Sequence, residues 1–324
     1  MNNSRATIGQ FVPSTFISIA VIHLVALLAF LPYFFTWSGV ILCLVLIWLS
    51  ASLGISLTFH RLLAHGAMRG VHPVLRTFLL CCASLTLEMG PVHWAATHRL
   101  HHRESDHEDD PHSPLASFWW GHIMWLFYRN PRVEDPGKLA ELAPDLVRDK
   151  QLMWFDKWFW AVWAGVGIVS WIVGFAIGTA LGGPAAGIKL AWSLVVWGTL
   201  LRTVIVWHNT WFVNSATHLW GYRNYKTSDD SRNLWWVAWL TFGEGWHNNH
   251  HAIAGSARFG HKWWEFDPTW WALCVFRWFG WVKQANFGPR NLNERKAFSG
   301  KVAAISAALK SRLPQGQRVT TSKV

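Results

Sequence analysis

Hydrophobic and polar positions segregate strongly along this chain of 324 residues. No Asp, Glu, Lys or Arg occurs between Arg5 and Arg61, and Lys189 is the only one between Lys157 and Arg202. Each gap holds two stretches of about 20 residues, the length that carries a helix across a bilayer core. The first gap divides at YFFTWSGV, which predicts helices over about 14–35 and 40–59. The second divides at GGPAAG, which predicts helices over about 158–181 and 188–207. The long connections, 60–156 and 208–324, carry nearly all the Lys and Arg. The positive-inside rule therefore puts those connections and both termini in the cytoplasm. The expected architecture is an all-α integral membrane protein with four transmembrane helices and a cytosolic helical cap.

Two further apolar stretches fit no span. Residues 74–92 are nearly long enough, but they contain Arg76 and Glu88, which are costly at membrane depth. Crossing there would also separate HRLLAH (60–65) from HRLHH (98–102). An interfacial or re-entrant helix is expected instead. RNLWWVAWLTF (232–242) reads as a second interfacial helix, too short to span. The first 13 residues read as a cytosolic N-terminus. Residues 291–324 read as a basic C-terminal helix, near 292–312, followed by a frayed tail.

Composition agrees. Charged residues are 15% of the chain, against about 25% in ordinary soluble domains. The chain has 26 Trp, a residue that prefers the membrane–water interface. The net charge of +11 could serve a nucleic acid, but basic cytosolic loops account for it better, so no nucleic-acid partner is expected. Cys43, Cys81, Cys82 and Cys274 lie in apolar runs without CxxC spacing and read as small buried hydrophobes. The first apolar run is long enough to span and lacks a small-residue cleavage site, so it reads as an anchor rather than a removable signal.

The chemistry lies in histidine. HRLHH (98–102) and HNNHH (247–251) share the pattern His-x-x-His-His. On a helix, positions i, i+3 and i+4 share one face. His98, His101 and His102 therefore converge, as do His247, His250 and His251. Adjacent His at i+3 and i+4 sit about 100° apart, so one turn can reach two neighbouring metal ions. His60 and His65 follow the second predicted span. Their i, i+5 spacing converges only where the helix ends or distorts. All three clusters fall at cytosolic ends of apolar segments. His23, His72, His93, His122 and His261 are isolated and read as polar residues solvating the surface. Imidazole suits Zn, Cu, Fe and Ni. HExxH is missing, which leaves a zincin protease unsupported. Eight clustered histidines suffice for two redox metals. DHEDDPH (106–112) and Glu244 supply carboxylates to orient them, with Asp106 and Asp110 the candidates in the loop.

HRLLAH, HRLHH and EGWHNNHH resemble the three histidine boxes of membrane fatty acid desaturases. TWFVNSATHLWGY (210–222) resembles the segment before the third box, and DDPHS (109–113) the loop after the second. SARFG and WWEFDPTWW (256–271) resemble the tail of the bacterial and cyanobacterial Δ9 branch. The likeness covers roughly 15–285, and residues 14–290 are taken as one desaturase domain. It implies an O2-dependent di-iron enzyme that inserts a cis double bond, at Δ9, into a saturated C16 or C18 acyl chain. One iron would take His60, His65, His98, His102 and His250. The other would take His101, His218, His247 and His251, with Asn214 holding a water on it. Trp94, Thr210 and Trp211 would line the bend of an acyl tunnel. No HPGG haem motif is present, so electrons are expected from a separate ferredoxin, rubredoxin or cytochrome b5. The acyl carrier, CoA or membrane lipid, stays open. The tail suggests a bacterial inner membrane. The competing classes are a di-iron hydroxylase or ketolase acting on lipid, alkane or carotenoid, and a metal transporter or sensor, which would place His within the spans.

Overall fold

The computed structural model describes residues 9–288. The expected helix near 292–312 lies outside them. In chain order the helices are α1 (Pro13–Ala26), α2 (Trp37–Ile47), α3 (Pro73–Ser84), α4 (Pro91–Glu104), α5 (Phe118–His122), α6 (Pro131–Glu134) and α7 (Pro136–Leu142). They continue as α8 (Lys150–Gly182), α9 (Pro184–Val195), α10 (Arg202–Leu219), α11 (Trp235–Leu240), α12 (His247–Ala252) and α13 (Pro268–Trp278). α2 runs on as a π-helix, Trp48–Ala64, and a π segment, Val196–Leu201, joins α9 to α10. Two short strands, β1 (Met68–Val71) and β2 (Val282–Ala285), pair antiparallel with Met68 opposite Ala285. The protein is therefore mostly rather than wholly helical.

Among the described residues, four helices are long and apolar enough to cross a membrane: Pro13–Phe30, Trp37–Ala64, Lys150–Gly182 and Pro184–Leu219. The first and third are mostly exposed, with 11% and 22% of their most apolar windows buried. The second and fourth are 56% buried and form the centre. The fourth, at 36 residues, measures roughly 54 Å at 1.5 Å per residue, well beyond a bilayer core of about 30 Å. Its last turns therefore project past the hydrocarbon and carry His218 with them. The third begins at Lys150 rather than near 158. Asp149 caps it by accepting from the Gln151 and Leu152 N–H groups, and its first turns are polar because they too lie beyond the apolar stretch.

The third and fourth spans pair as a hairpin through small residues. A Cβ on Gly178 would lie 2.8 Å from Gly187 Cα, and one on Gly187 would lie 2.8 Å from Phe175 O. Without a hydrophobic drive between helices in lipid, such close backbone approach supplies the packing energy. Gly183 turns the hairpin at φ +80°, a conformation that favours glycine.

The stretch 74–92 is not one helix. α3 stops at Ser84, Leu87 turns at φ +54°, and Pro91 opens α4. The freed carbonyls of this break are satisfied by the fourth span. Arg202 Nη1 donates to Leu85 O, and Trp207 Nε1 donates to Thr86 O at 2.8 Å. Irregular backbone at this depth is tolerated because it is buried in protein. The break also turns α4 back toward the centre.

His122, read from sequence as a surface residue, is buried. Its Nε2 lies 3.0 Å from His208, whose other nitrogen lies 3.1 Å from His23. This chain of three rings ties the first span to the fourth and to α5.

Gly187→Leu should lower the unfolding temperature of the detergent-purified protein, with overpacking costing about 1–3 kcal/mol. Gly165→Leu on the same hairpin, where a Cβ would meet nothing within 4 Å, should stay near wild type.

Candidate metal centre

The π-helix delivers the first pair of histidines. Its wider winding closes a bond from the His65 N–H to His60 O at 3.1 Å, five residues back. Residues at i and i+5 thereby reach one side, and the two rings lie 5.0 Å apart. π-turns of this kind concentrate at functional sites. α4 supplies His98, His101 and His102, α12 supplies His247, His250 and His251, and the last turn of α10 supplies His218.

These nine rings sort into two groups. His60, His65, His98, His102 and His250 form one, and His101, His218, His247 and His251 form the other; within each, the ligand atoms lie within 4.8 Å of one another. His60 Nε2 is 2.9 Å from His250 Nε2, which is 2.8 Å from His102 Nε2. His65 and His98 meet through Nε2 at 2.9 Å, and His247 and His218 at 3.1 Å.

Carboxylates decide which nitrogen carries the proton. His60 Nδ1 donates to Glu244, His101 Nδ1 to Asp110 at 3.0 Å, His218 Nδ1 to Asp106 at 2.9 Å, and His251 Nδ1 to Asp229 at 2.8 Å. A carboxylate only accepts, so each of these four Nδ1 atoms carries a proton, and in the neutral ring the Nε2 is the atom with the lone pair. Burial and the neighbouring histidines hold His65, His98, His102, His247 and His250 well below the ordinary imidazole value. His101 departs: burial pulls it down, but Asp110 outweighs that and raises it. The rings without such a carboxylate can carry their proton on either nitrogen, so the close Nε2–Nε2 approaches suit a hydrogen bond between rings as well as an ion between them. Nine imidazoles converging in two groups are a donor set that fits metal ions.

Asp229 is the carboxylate that sequence reading missed. It lies in the loop YKTSDDSRN, where Ser231 and Thr227 also donate to it, at 2.5 and 2.8 Å. His112 was missed too. It is buried, its ring lies 4.4 Å from His101, and burial and His101 push it down to about 3.

Behind His60 stands a fully buried Arg61. Its Nη2 donates to Asp267 Oδ1 at 2.9 Å and lies 3.7 Å from Glu244 Oε1, while Nη1 donates to Ala257 O at 2.7 Å. Its guanidinium covers Phe259 at 4.0 Å, and Phe259 packs on His250 at 4.5 Å. Ser56 also donates to Glu244. A removed partner here would strand a buried charge, an expensive change.

A cavity of about 840 Å³ reaches this centre. Trp94, Thr210, Trp211 and Asn214 line it, as do Ile19 and Ile22 of the first span and Trp160 and Trp163 of the third. A smaller space of about 30 Å³, room for about one water, lies between His60, His98, His101, His247 and Asn214. Glu88 stands in the wall of the large cavity, inside the break after α3. Trp94 Nε1 donates to its Oε2 at 3.0 Å. Burial pushes its carboxyl up to about 7, against the pull of Thr210 and Trp94.

Fold and site together define a helical scaffold with four helices long and apolar enough to cross a membrane, whose histidines form two groups that could hold metal ions beside a cavity of about 840 Å³. The fatty acid desaturase profile matches residues 35–276. The chain is 43% identical over 249 residues to an sn-1 stearoyl-lipid 9-desaturase of Anabaena variabilis, covering 77% of this chain and 84% of that one. It is 40% identical over 270 residues to an sn-2 palmitoyl-lipid 9-desaturase of Nostoc sp. (strain 36), covering 83% and 88%. It is likewise 40% identical over 276 residues to an sn-1 stearoyl-lipid 9-desaturase of Synechocystis sp., covering 85% and 80%. The chain belongs to the fatty acid desaturase family.

Two outcomes are expected. Glu244→Gln should lower metal affinity about 10–100-fold, the usual cost of losing a carboxylate behind a ligating His; metal analysis after dialysis against a chelator measures it. Glu88 is protonated below about pH 7 and ionised above it, so the cavity gains a buried negative charge as pH rises. KM for the acyl substrate should therefore rise above that pH, and Glu88→Gln should flatten the profile.

Proposed function

We propose that the chain inserts a cis double bond at Δ9 of a saturated C16 or C18 acyl chain held in a membrane lipid, using two iron ions and O2. The observation that carries this reading is the juxtaposition of an apolar cavity with both histidine groups. An unactivated methylene offers no acidic proton and no leaving group, so side-chain catalysis cannot attack it. Two iron ions, when bound, supply redox chemistry with O2 at that point. His60, His65, His98, His102 and His250 would hold one, and His101, His218, His247 and His251 the other. Asn214 would hold a water at the second.

The remaining work belongs to the protein. Asp106, Asp110, Asp229 and Glu244 fix the ring orientations of His218, His101, His251 and His60. Trp94, Thr210 and Trp211 wall the cavity beside the centre and set which carbon stops there, a proximity effect. The apolar lining keeps water from the reacting carbons. The cavity is walled by the two most lipid-exposed spans, which suits a chain arriving from the bilayer. Arg129, Asn130, Glu134, His93 and Asp156 also line it, a mixed set of charges rather than the cationic nest a CoA polyphosphate needs. The three relatives described above, more similar than those named for acyl-CoA, are named for acyl lipids, which supports the same carrier. The histidine centre would face the cytoplasm of a bacterial inner membrane, where a separate ferredoxin, rubredoxin or cytochrome b5 delivers electrons to the basic face.

Expression in a desaturase-deficient host with a co-expressed ferredoxin system tests the proposal. Mass spectrometry with double-bond localisation should find new cis-Δ9 monoenes in glycerolipids, lost on His250→Ala. A mono-oxygenated product, or activity of more than a few per cent in that variant, would overturn it.

A further inference from the structure

α13 lies outside the spans, yet it presents an apolar face to solvent. Trp271, Val275, Trp278 and Phe279 fall at i, i+4, i+7 and i+8 on one side, and Trp278 is 80% exposed. The opposite side is packed: Leu273 is fully buried against Leu53 and Leu57 of the second span. Thr269 and Ser52 share a buried hydrogen bond at 2.9 Å. These contacts fix the depth of α13. About 20 residues cross a hydrocarbon core; counted from Trp37, where the second span begins, they end at Ser56. The positions that α13 grips, 52–57, therefore sit at the edge of the hydrocarbon, below His60.

The face is continuous with a neighbouring element. His72, the cap of α3, donates its N–H to Trp281 O at 2.8 Å, just past the end of α13. α3 in turn exposes Val74 and Phe78. α3 and α13 thus flank the same span and share one core beneath.

We propose that α13 seats its aromatic face in the headgroup–acyl boundary of the bilayer, completing with α3 a collar around the second span. Trp and Phe on a helix that parallels the surface are the residues such a layer takes up. Arg277 is exposed in the last turn of α13, its guanidinium over Phe287 at 4.6 Å, where it can meet lipid phosphate. A soluble redox partner would need charge on this face, and Trp271, Val275, Trp278 and Phe279 carry none. The seat also bears on the metal centre. Asp267 caps α13 by accepting from the Trp270 N–H at 3.0 Å, and the same carboxylate holds Arg61.

The test uses the full chain in vesicles of phosphatidylethanolamine and phosphatidylglycerol, with Cys81 and Cys274 replaced by Ala. Nitroxides are attached at Trp278→Cys and separately at Val275→Cys, with Glu141→Cys on exposed α7 as the solvent control. Collision with O2 should exceed collision with a water-soluble nickel complex at 275 and 278, and the order should reverse at 141. Nickel access at 275 and 278 equal to that at 141 would overturn the proposal. So would protection that appears only when a second protein is added or when the protein-to-lipid ratio rises, since the face would then be a protein interface.

Discussion

Nine imidazoles must converge on one place from elements far apart in the chain, and this constraint organises the structure. Four carboxylates pin protons on the outer nitrogens of His60, His101, His218 and His251. The inner nitrogens of those rings face other histidines at close range. A cluster of that kind calls for several elements to end at one place, and its donors suit metal ions. Elements far apart in sequence answer to that need: a π-helix at the end of the second span, a cap helix opened by Pro91, the projecting end of the fourth span, and a one-and-a-half-turn helix at 247–252.

The packing behind the centre carries the constraint outward. Arg61 joins Glu244, Asp267 and Phe259, and through them His60 and His250. Asp267 also caps α13, which grips the second span at Ser52. The position of the histidine cluster on the second span is therefore held by one buried network rather than by the spans alone. That position matters, because the cavity must bring an acyl carbon to the cluster.

Much of this was legible in the sequence. The charge-free gaps announced the spans because ionised groups are costly in hydrocarbon, and the i, i+3, i+4 repeat announced two histidine faces because helix geometry allows little else. What stayed hidden was non-local. Asp229 reaches His251 across 22 residues of chain, and no spacing rule connects a loop acid to a helix. The break after Ser84 turns at Leu87, a residue with no preference for positive φ, and its support comes from Arg202 and Trp207 on another span. The start of α8 was placed too late because charge normally ends an apolar helix, whereas here the helix runs on past the apolar stretch. His122 looked like a surface residue because its partners, His208 and Ser215, lie more than 80 positions away.

The most direct test of the account is metal stoichiometry. The purified chain, stripped with chelator and titrated anaerobically with Fe(II), should bind two ions, with Mössbauer parameters of nitrogen-rich sites. One ion or none at saturation would contradict the central claim, because the two histidine groups would then not be a pair of metal sites.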